Sequence, residues 1–312
     1  MQSNQNRCLF KSSILHTSYD DYKILGTIQF SKFVSIHHAL SIKTHQKVVI
    51  KFVSTKYELY QQTLKGCEIA RSFSHPNIIN ICDYFIFQDE TSDDLLVIIM
   101  DEYPDIDLLY YLRDNGPLSE IEAISIMKQL ASALLQISSQ GVIHSQLTLE
   151  NILIRRESYS NRESSQFHVA VTGFTGAHQI NRHNSIVNNN IYTAPEFSST
   201  QKTTILTDVY SLGIIFYQLL KGIYPREHNQ SLNFNNDFKE DELFLNISLD
   251  MKDLIKGMVD VNTNTRLTPN KIFNHPALID INANKIENRR SLIEFLTDIP
   301  LSDLYYEMAS IY

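Results

Sequence analysis

The sequence of 312 residues has no tryptophan, three cysteines and only nine glycines. Glycine makes up roughly 3% of the chain, whereas about 7% is usual in proteins. A function that depends on a glycine-rich loop around phosphate groups is therefore disfavoured. The cysteines, Cys8, Cys67 and Cys82, are odd in number and lack metal-ligand spacing, so we expect reduced, structural thiols.

Positive charge and long apolar runs are also scarce. The chain has 27 lysines and arginines against 35 aspartates and glutamates, which gives a net charge of −8. Because phosphate contacts need clustered basic side chains and none are clustered here, we expect no nucleic-acid partner. The longest apolar run, Val209 to Leu220, is far shorter than the roughly 20 residues of a membrane span, and the first residues lack an apolar secretory signal. We therefore expect no membrane partner and a location in the cytoplasm or nucleus.

The sequence does contain enough apolar residues for a large core, since 43% of them are hydrophobic. Up to about residue 100 the segments are mainly β-prone, and they are interrupted by a predicted helix over residues 56–74. From Leu108 onward the pattern becomes helical, most clearly between Leu118 and Ser138. Strands followed by helices predict an α+β fold with two lobes.

Seven short motifs follow one another in a fixed order. They are Val48-Val49-Ile50-Lys51, His75-Pro76-Asn77-Ile78, His144-Ser145-Gln146 with Asn151, Gly173-Phe174-Thr175, Ala194-Pro195-Glu196, Asp208-Val-Tyr-Ser-Leu-Gly213 and Arg266. In this order and spacing the sequence resembles the eukaryotic protein kinases from Tyr22 to Leu278. It looks like a Ser/Thr kinase and is most similar in texture to the calcium/calmodulin-dependent branch.

The resemblance implies boundaries for the parts of the chain. A loose, polar arm is predicted over residues 1–19 and a protein-kinase-like domain over 20–279. Within that domain a small β-rich N-lobe covers residues 20–103 and a larger α-helical C-lobe covers 104–279. A helical tail is predicted over residues 280–312.

Four positions on which phosphate transfer depends carry other residues. The resemblance places the phosphate loop at Gln29–Ile36, where all three glycines are absent, and the glutamate of the small lobe's helix at Gly66. It places the general base at Gln146, whose amide does not accept a proton at neutral pH. It places the metal-binding aspartate at Gly173, which offers no oxygen ligand. No catalytic position of this set is intact.

Two residues of the phosphate-binding machinery are kept. Lys51 stands where the family's lysine contacts phosphates and pairs with the helix glutamate, but Glu68 lies roughly 200° around the helix from that glutamate position. We therefore expect Lys51 to be unpartnered, and its role is either a nucleotide contact or that of a solvated lysine at a strand end. Asn151 is either a ligand of a second magnesium ion or a loop amide that satisfies backbone groups.

The resemblance also implies further nucleotide contacts beside Lys51. They are Ile36, Val49, Met100, Asp101, Tyr103 and Leu153. Val49 stands where the family has an alanine against adenine, and its two additional methyl groups would crowd the base at a cost of roughly 1 to 3 kcal/mol.

By contrast, the residues that hold the fold in this family are retained. His144 is expected as a packed core histidine, and Phe174 supplies its apolar ring. Asp208 is expected to bind the backbone of the loop around His144, and Glu196 and Arg266 are expected to form a buried ion pair.

The combination predicts a pseudokinase, a signalling scaffold or allosteric partner with little or no phosphate transfer. No cofactor is required, protein partners are expected, and ATP binding without magnesium is left open. One alternative is a divergent Ser/Thr kinase with weak activity that uses Lys51 and Asn151. Another is a nucleotide-binding switch without chemistry.

Overall fold

The computed structural model describes residues 10, 12–88, 94–103, 106–157, 166–180, 190–222 and 247–279. These residues form two lobes, a small one built on a β-sheet and a larger one built on helices. The predicted α+β class and two-lobed arrangement are therefore confirmed. The C-terminal tail over residues 280–312 lies outside the described residues.

The small lobe is a six-stranded antiparallel sheet with one helix. Its strands are β1 (Ile14–His16), β2 (Asp21–Phe30), β3 (Val34–Ser41), β4 (Lys47–Ser54), β5 (Ile81–Phe87) and β6 (Leu95–Asp101), in the order β1-β2-β3-β4-β6-β5. Helix α1 (Tyr60–Arg71) connects β4 to β5 along the chain and is shorter than the predicted helix over 56–74. Runs of β-branched and aromatic residues explain the central strands, because such side chains pack well on a pleated surface.

The prediction of a loose arm over residues 1–19 is wrong for the part that the structure describes. Ile14–His16 pair with Asp21–Lys23 in antiparallel register, and Leu15 is completely buried. The ring of Phe10 stacks on that of Phe52 with centroids 4.7 Å apart. These few apolar residues among polar neighbours are enough to attach the arm to the sheet, since burying one such side chain contributes about 1.5 to 3 kcal/mol.

The described part of the large lobe consists of helices and two short antiparallel strand pairs. Its helices are α2 (Leu108–Asn115), α3 (Glu120–Ser139), α4 (Pro195–Thr200), α5 (Ile205–Lys221), α6 (Leu249–Met258) and α7 (Pro269–Phe273), and its strands are β7 (Val142–Ile143), β8 (Ile152–Glu157), β9 (Gln166–Val171) and β10 (His178–Gln179). β8 pairs with β9, and β7 pairs with β10. Ser119 and Glu122 form a capping box that fixes where α3 begins. Within the described ranges, none of the helices has the length and apolarity that crossing a bilayer requires.

The helix α4 is tied to the end of the large lobe by a buried ion pair. Arg266 Nη1 and Nη2 donate to the two carboxylate oxygens of Glu196 at 2.6 and 2.8 Å. The Arg266 side chain is fully buried and also donates to the backbone oxygens of Asp260 and Leu206. The structure therefore contains the ion pair that the sequence predicts, and its bidentate geometry fixes α4 relative to α5 and α6.

We expect Glu196→Gln to lower the free energy of unfolding by about 3 kcal/mol, because it leaves the buried guanidinium of Arg266 without its counter-charge. Chemical denaturation followed by circular dichroism measures this loss. The matched control is Asp83→Asn, which breaks the exposed ion pair between Arg71 and Asp83 (3.3 Å) and is expected to cost less than about 1 kcal/mol. Equal losses in the two variants would contradict the assignment.

Candidate functional site

A cavity of about 300 Å³ lies between the two lobes. It brings together all seven residues that the sequence analysis assigns as nucleotide contacts, namely Ile36, Val49, Lys51, Met100, Asp101, Tyr103 and Leu153. Sheet register explains part of this grouping, because Lys51 on β4 lies opposite Ile36 on β3 and opposite Ile98 on β6. The seven predicted residues therefore line the same cavity.

Lys51 lines this cavity, and the part of the cavity around Lys51 is called its inner end below. Among the described residues, no carboxylate and no hydrogen-bond acceptor lies within bonding distance of its ammonium. Glu68 is exposed on α1, as its angular offset from the Gly66 position predicts. Burial lowers the pKa of Lys51, and the neighbouring Cys67 thiol acts in the opposite direction. The cavity lining thus contains a partly buried cation that has no ion pair with any described residue.

Helix α1 approaches the 3₁₀ turn Phe174–Gly176 so closely that residue 66 has no space for a side chain. A β-carbon on Gly66 would lie 2.3 Å from the backbone oxygen of Phe174 and 3.1 Å from the Cα of Thr175. Both neighbours are backbone atoms, so a side chain of any size would displace either the helix or the turn. The missing glutamate is therefore coupled to the packing of this helix.

Gly173 has a left-handed backbone conformation, which glycine adopts more readily than other residues. Its φ is +79° and its ψ is 37°, in the left-handed region that β-carbons disfavour. A β-carbon there would lie 2.2 Å from Asn151 Oδ1 and 2.4 Å from Asn151 Cγ. The amide of Asn151 therefore lies where an aspartate at residue 173 would begin.

Asn151 and Gln146 join this arrangement from the catalytic-loop side. Asn151 Nδ2 donates to the backbone oxygen of Gln146 at 2.8 Å, which is the loop role that the sequence analysis considers beside metal binding. The side chain of Gln146 lies against Gly176, where a β-carbon would be 2.8 Å from its Cγ. Three glycines, at 66, 173 and 176, thus allow α1, the turn and the catalytic loop to come into direct contact.

His144 and Asp208 stabilise the catalytic loop through hydrogen bonds. Asp208 accepts hydrogen bonds from the backbone amides of His144 (2.7 Å) and Ser145 (2.8 Å). His144 Nε2 donates to the backbone oxygen of Thr172 at 2.9 Å, which leaves Nδ1 as the acceptor facing the amide of Gln146. Burial lowers the pKa of His144 to about 4, so the imidazole is neutral near pH 7.

The environment of His144 and Asp208 is apolar on its inner side. The ring of Phe174 meets that of His144 edge to face at 4.7 Å. Burial raises the pKa of Asp208 to about 7, and the two backbone amides oppose that rise. These contacts place His144, Phe174 and Asp208 inside the large lobe, in the packed positions that the sequence analysis expects.

The segment aligned with a phosphate loop is a tight turn between β2 and β3. The Ser31 amide donates to the backbone oxygen of Val34 at 2.8 Å, and the Ser31 hydroxyl bonds the same residue. The backbone amides of Ser31 and Val34 are therefore used within the turn and not directed at a ligand. Of this segment, only Gln29 and Ile36 line the cavity.

The outer rim of the cavity contains interactions that sequence reasoning missed. Asp101 accepts hydrogen bonds from Asn80 Nδ2 (3.2 Å) and from Cys82 Sγ (3.0 Å). Tyr103 Oη bonds His168 Nδ1 at 2.5 Å. Nothing in the local sequence pattern signals these pairs, because each joins residues that are distant in the chain.

A second missed cluster lies beside the catalytic loop. The Ser145 hydroxyl lies 3.3 Å from His178 Nδ1 and 3.4 Å from Thr203 Oγ1, and Thr203 Oγ1 lies 3.1 Å from His178 Nε2. This cluster connects the catalytic loop with β10 and with the segment before α5. The family resemblance places at position 145 an arginine that holds a phosphorylated segment. In this chain the position is Ser145, and its hydroxyl contacts His178 and Thr203. The cluster borders a second cavity of about 400 Å³, next to the first.

The residues of this site do not fit a magnesium–ATP complex. Position 173 offers no carboxylate, and the amide of Asn151 is already directed to Gln146 and packed against Gly173. In the described part of the chain, no group of three or more His, Cys, Asp or Glu side chains is arranged to hold a metal ion. No reaction step through this complex follows from the geometry.

Comparisons with known proteins point to one family. The family described as "Protein kinase domain" matches residues 19–278. Serine/threonine-protein kinase PLK4 of Drosophila simulans is 26% identical over 271 residues, which is 83% of this chain and 33% of that protein. Serine/threonine-protein kinase PrkC of Bacillus subtilis is 29% identical over 208 residues, which is 65% of this chain and 31% of that protein. The chain thus spans about a third of the length of these curated relatives.

A solved structure agrees on the fold. The crystal structure of the Rad53 kinase domain and SCD2 matches with a TM-score of 0.64 and 22% identity, and the match covers 83% of this chain and 88% of that chain. Similarity to the calcium/calmodulin-dependent branch stays a prediction.

We expect Gly66→Ala to lower the free energy of unfolding by about 1 to 3 kcal/mol, because its methyl group meets backbone atoms of the turn. This loss is expected although alanine is intrinsically about 1 kcal/mol better than glycine within a helix. Thermal and chemical denaturation measure the difference. The control is Gly26→Ala on β2, where a β-carbon has no neighbour within 4 Å. A stabilised Gly66→Ala variant would show that α1 does not pack on the turn in this way.

Proposed function

Because the chain belongs to the protein kinase domain family, we propose that it uses the kinase fold as a signalling scaffold or allosteric partner and transfers no phosphate. The observation that carries the proposal is the state of residue 173. It is a left-handed glycine whose side-chain space is filled by the amide of Asn151. The metal-binding carboxylate is therefore absent, and its place is occupied.

Rate arguments support this proposal. Loss of a general base, here Gln146 in place of aspartate, typically lowers a rate by about 10² to 10⁴ fold. Loss of a metal ligand removes several kcal/mol of charge stabilisation in addition. Although such losses are not additive, a kinase that turns over at about 1 to 100 s⁻¹ would fall to near the uncatalysed rate.

The retained contacts support a binding role. The Glu196–Arg266 pair and the hydrogen bonds that the catalytic-loop amides donate to Asp208 stabilise the large lobe without serving any chemistry. Such a scaffold presents fixed surfaces to other proteins, so we propose protein partners. Reduced thiols at Cys67 and Cys82 agree with a location in the cytoplasm or nucleus.

We expect no phosphate transfer from radiolabelled ATP to mixed protein substrates, with magnesium or manganese, above the level of a Lys51→Ala variant. The double variant Gln146→Asp with Gly173→Asp is expected to stay inactive as well, because a β-carbon at residue 173 collides with Asn151. Transfer by the natural chain that disappears in Lys51→Ala would refute the scaffold proposal and favour a weakly active Ser/Thr kinase.

A second candidate function is a nucleotide-binding switch without chemistry. The observation that favours it is the convergence of Lys51 and the six other predicted contacts on one cavity. Val49 is almost fully buried, so its branched side chain narrows the space that adenine would need.

For the switch, we expect ATP to raise the melting temperature equally with and without magnesium, because no carboxylate at residue 173 holds a metal. A titration of ATP in differential scanning fluorimetry, with Lys51→Ala as the control, measures this shift. The absence of a shift up to millimolar ATP would leave the scaffold without a nucleotide. A shift that needs magnesium would contradict the assignment of residue 173.

A further inference from the structure

We propose that the inner end of the cavity binds an organic monoanion with an apolar body, without a metal ion, and that the anionic group pairs with Lys51. This inference rests on the proposed function, since it names the ligand class of a cleft that is freed from phosphate chemistry.

Lys51 carries a charge that no described residue balances. It is partly buried, burial lowers its pKa, and among the described residues it has no ion pair or hydrogen bond. Partial burial strengthens the attraction between an ammonium and a nearby anion, so an anion that enters the same space is stabilised by Lys51. Thr172 and Thr175 line the same cavity, and among the described residues no acceptor is bonded to their hydroxyls. They are therefore able to donate to the anion.

Apolar side chains form a wall of the same cavity. Five cavity-lining residues at this end have exposed fractions of 6% or less, namely Ala70, Ile79, Ile81, Ile98 and Phe174. They come from α1, from β5 and its approach, from β6 and from the turn after Gly173. A ligand that places an aromatic or aliphatic body here removes apolar surface from water at about 25 cal/mol per Å².

Among the described residues that line the cavity, acidic side chains outnumber basic ones. Lys51 is the only lysine or arginine among the described residues that line it, whereas Asp101, Asp107 and Glu150 lie along the same lining. Asp101 is bonded by Asn80 and Cys82, and Asp107 caps α2 by accepting from the amide of Tyr110 at 2.7 Å. Asp101 and Asp107 therefore have their own hydrogen-bond donors, and together with Glu150 they repel additional negative charge. One cation at the inner end matches one negative charge, whereas a triphosphate would bring several without a metal to neutralise them.

The test uses 2-naphthoate as the probe and its uncharged amide, 2-naphthamide, as the matched ligand. Isothermal titration calorimetry is carried out with the full chain near pH 7.5, in buffer with a chelator. We expect saturable one-to-one binding of naphthoate that is weakened at least tenfold by Lys51→Met and largely kept in Lys51→Arg. The affinity for naphthamide is expected to be the same in the natural chain and in Lys51→Met.

The protein control is Lys47→Met, which removes an exposed lysine from the same strand and is expected to leave naphthoate binding unchanged. Lys51→Met is expected to fold, because it replaces a partly buried lysine that has no ion pair among the described residues with an apolar chain of similar length. A melting temperature at or above that of the natural chain checks this. If Lys51→Met does not fold, an at least tenfold preference of the natural chain for naphthoate over naphthamide supports the inference.

Several outcomes would overturn the inference. They are no naphthoate binding, naphthoate binding equal to that of naphthamide, and binding that Lys51→Met leaves unchanged. None of these outcomes bears on phosphate transfer, so the scaffold proposal would stand. Conversely, transfer of radiolabelled phosphate would refute the scaffold proposal whatever naphthoate does.

Discussion

The arrangement of the interlobe site depends on the contact between helix α1 and the turn Phe174–Gly176. At Gly66 the helix lies so close to the backbone of Phe174 that a β-carbon would be 2.3 Å from its oxygen. Repulsion at that distance is far larger than the small intrinsic cost of a glycine within a helix. The position of the helix therefore requires glycine, and that requirement alone excludes the carboxylate that would pair with Lys51.

The same steric logic links the other changed positions. The turn that receives α1 begins at Gly173, whose left-handed backbone disfavours other residues and where a β-carbon would require the Asn151 side chain to move. It ends at Gly176, against which the side chain of Gln146 lies. Exchanging one of these residues for its kinase counterpart disturbs its neighbour, because the residues share one packed volume. The residues that replace the lost functional groups thus pack against one another where the two lobes meet. Asp208 and His144 hold the catalytic loop beside them.

The sequence predicts much of this site because motif spacing and helix periodicity are local properties. The 200° offset of Glu68 predicts that it does not pair with Lys51, and no described residue forms an ion pair with Lys51. The motif spacing of the resembled family indicates Ile36, Val49 and Lys51 as neighbours, and all three line one cavity. The contact of Gly66 with Phe174, the triangle of Ser145, His178 and Thr203, and the pair of Tyr103 and His168 join segments distant in the chain. No pattern within a segment encodes such contacts. The strand Ile14–His16 escaped prediction because three residues within a polar stretch give too short a signal for period-two alternation.

The distribution of charge gives the cleft a character different from that of a phosphate site. A phosphate site balances negative ligands with metal ions, a cation and inward-facing amides. Here the amides of Ser31 and Val34 are bonded within the turn, and residue 173 is glycine in place of the metal-binding aspartate. Among the described residues, Lys51 has no acid that would share its charge. A partly buried ammonium that has no ion pair with a described residue favours the entry of a negative group into the cavity. The retention of Lys51 beside an apolar wall therefore makes the cleft a place where a single negative charge is stabilised and several are not.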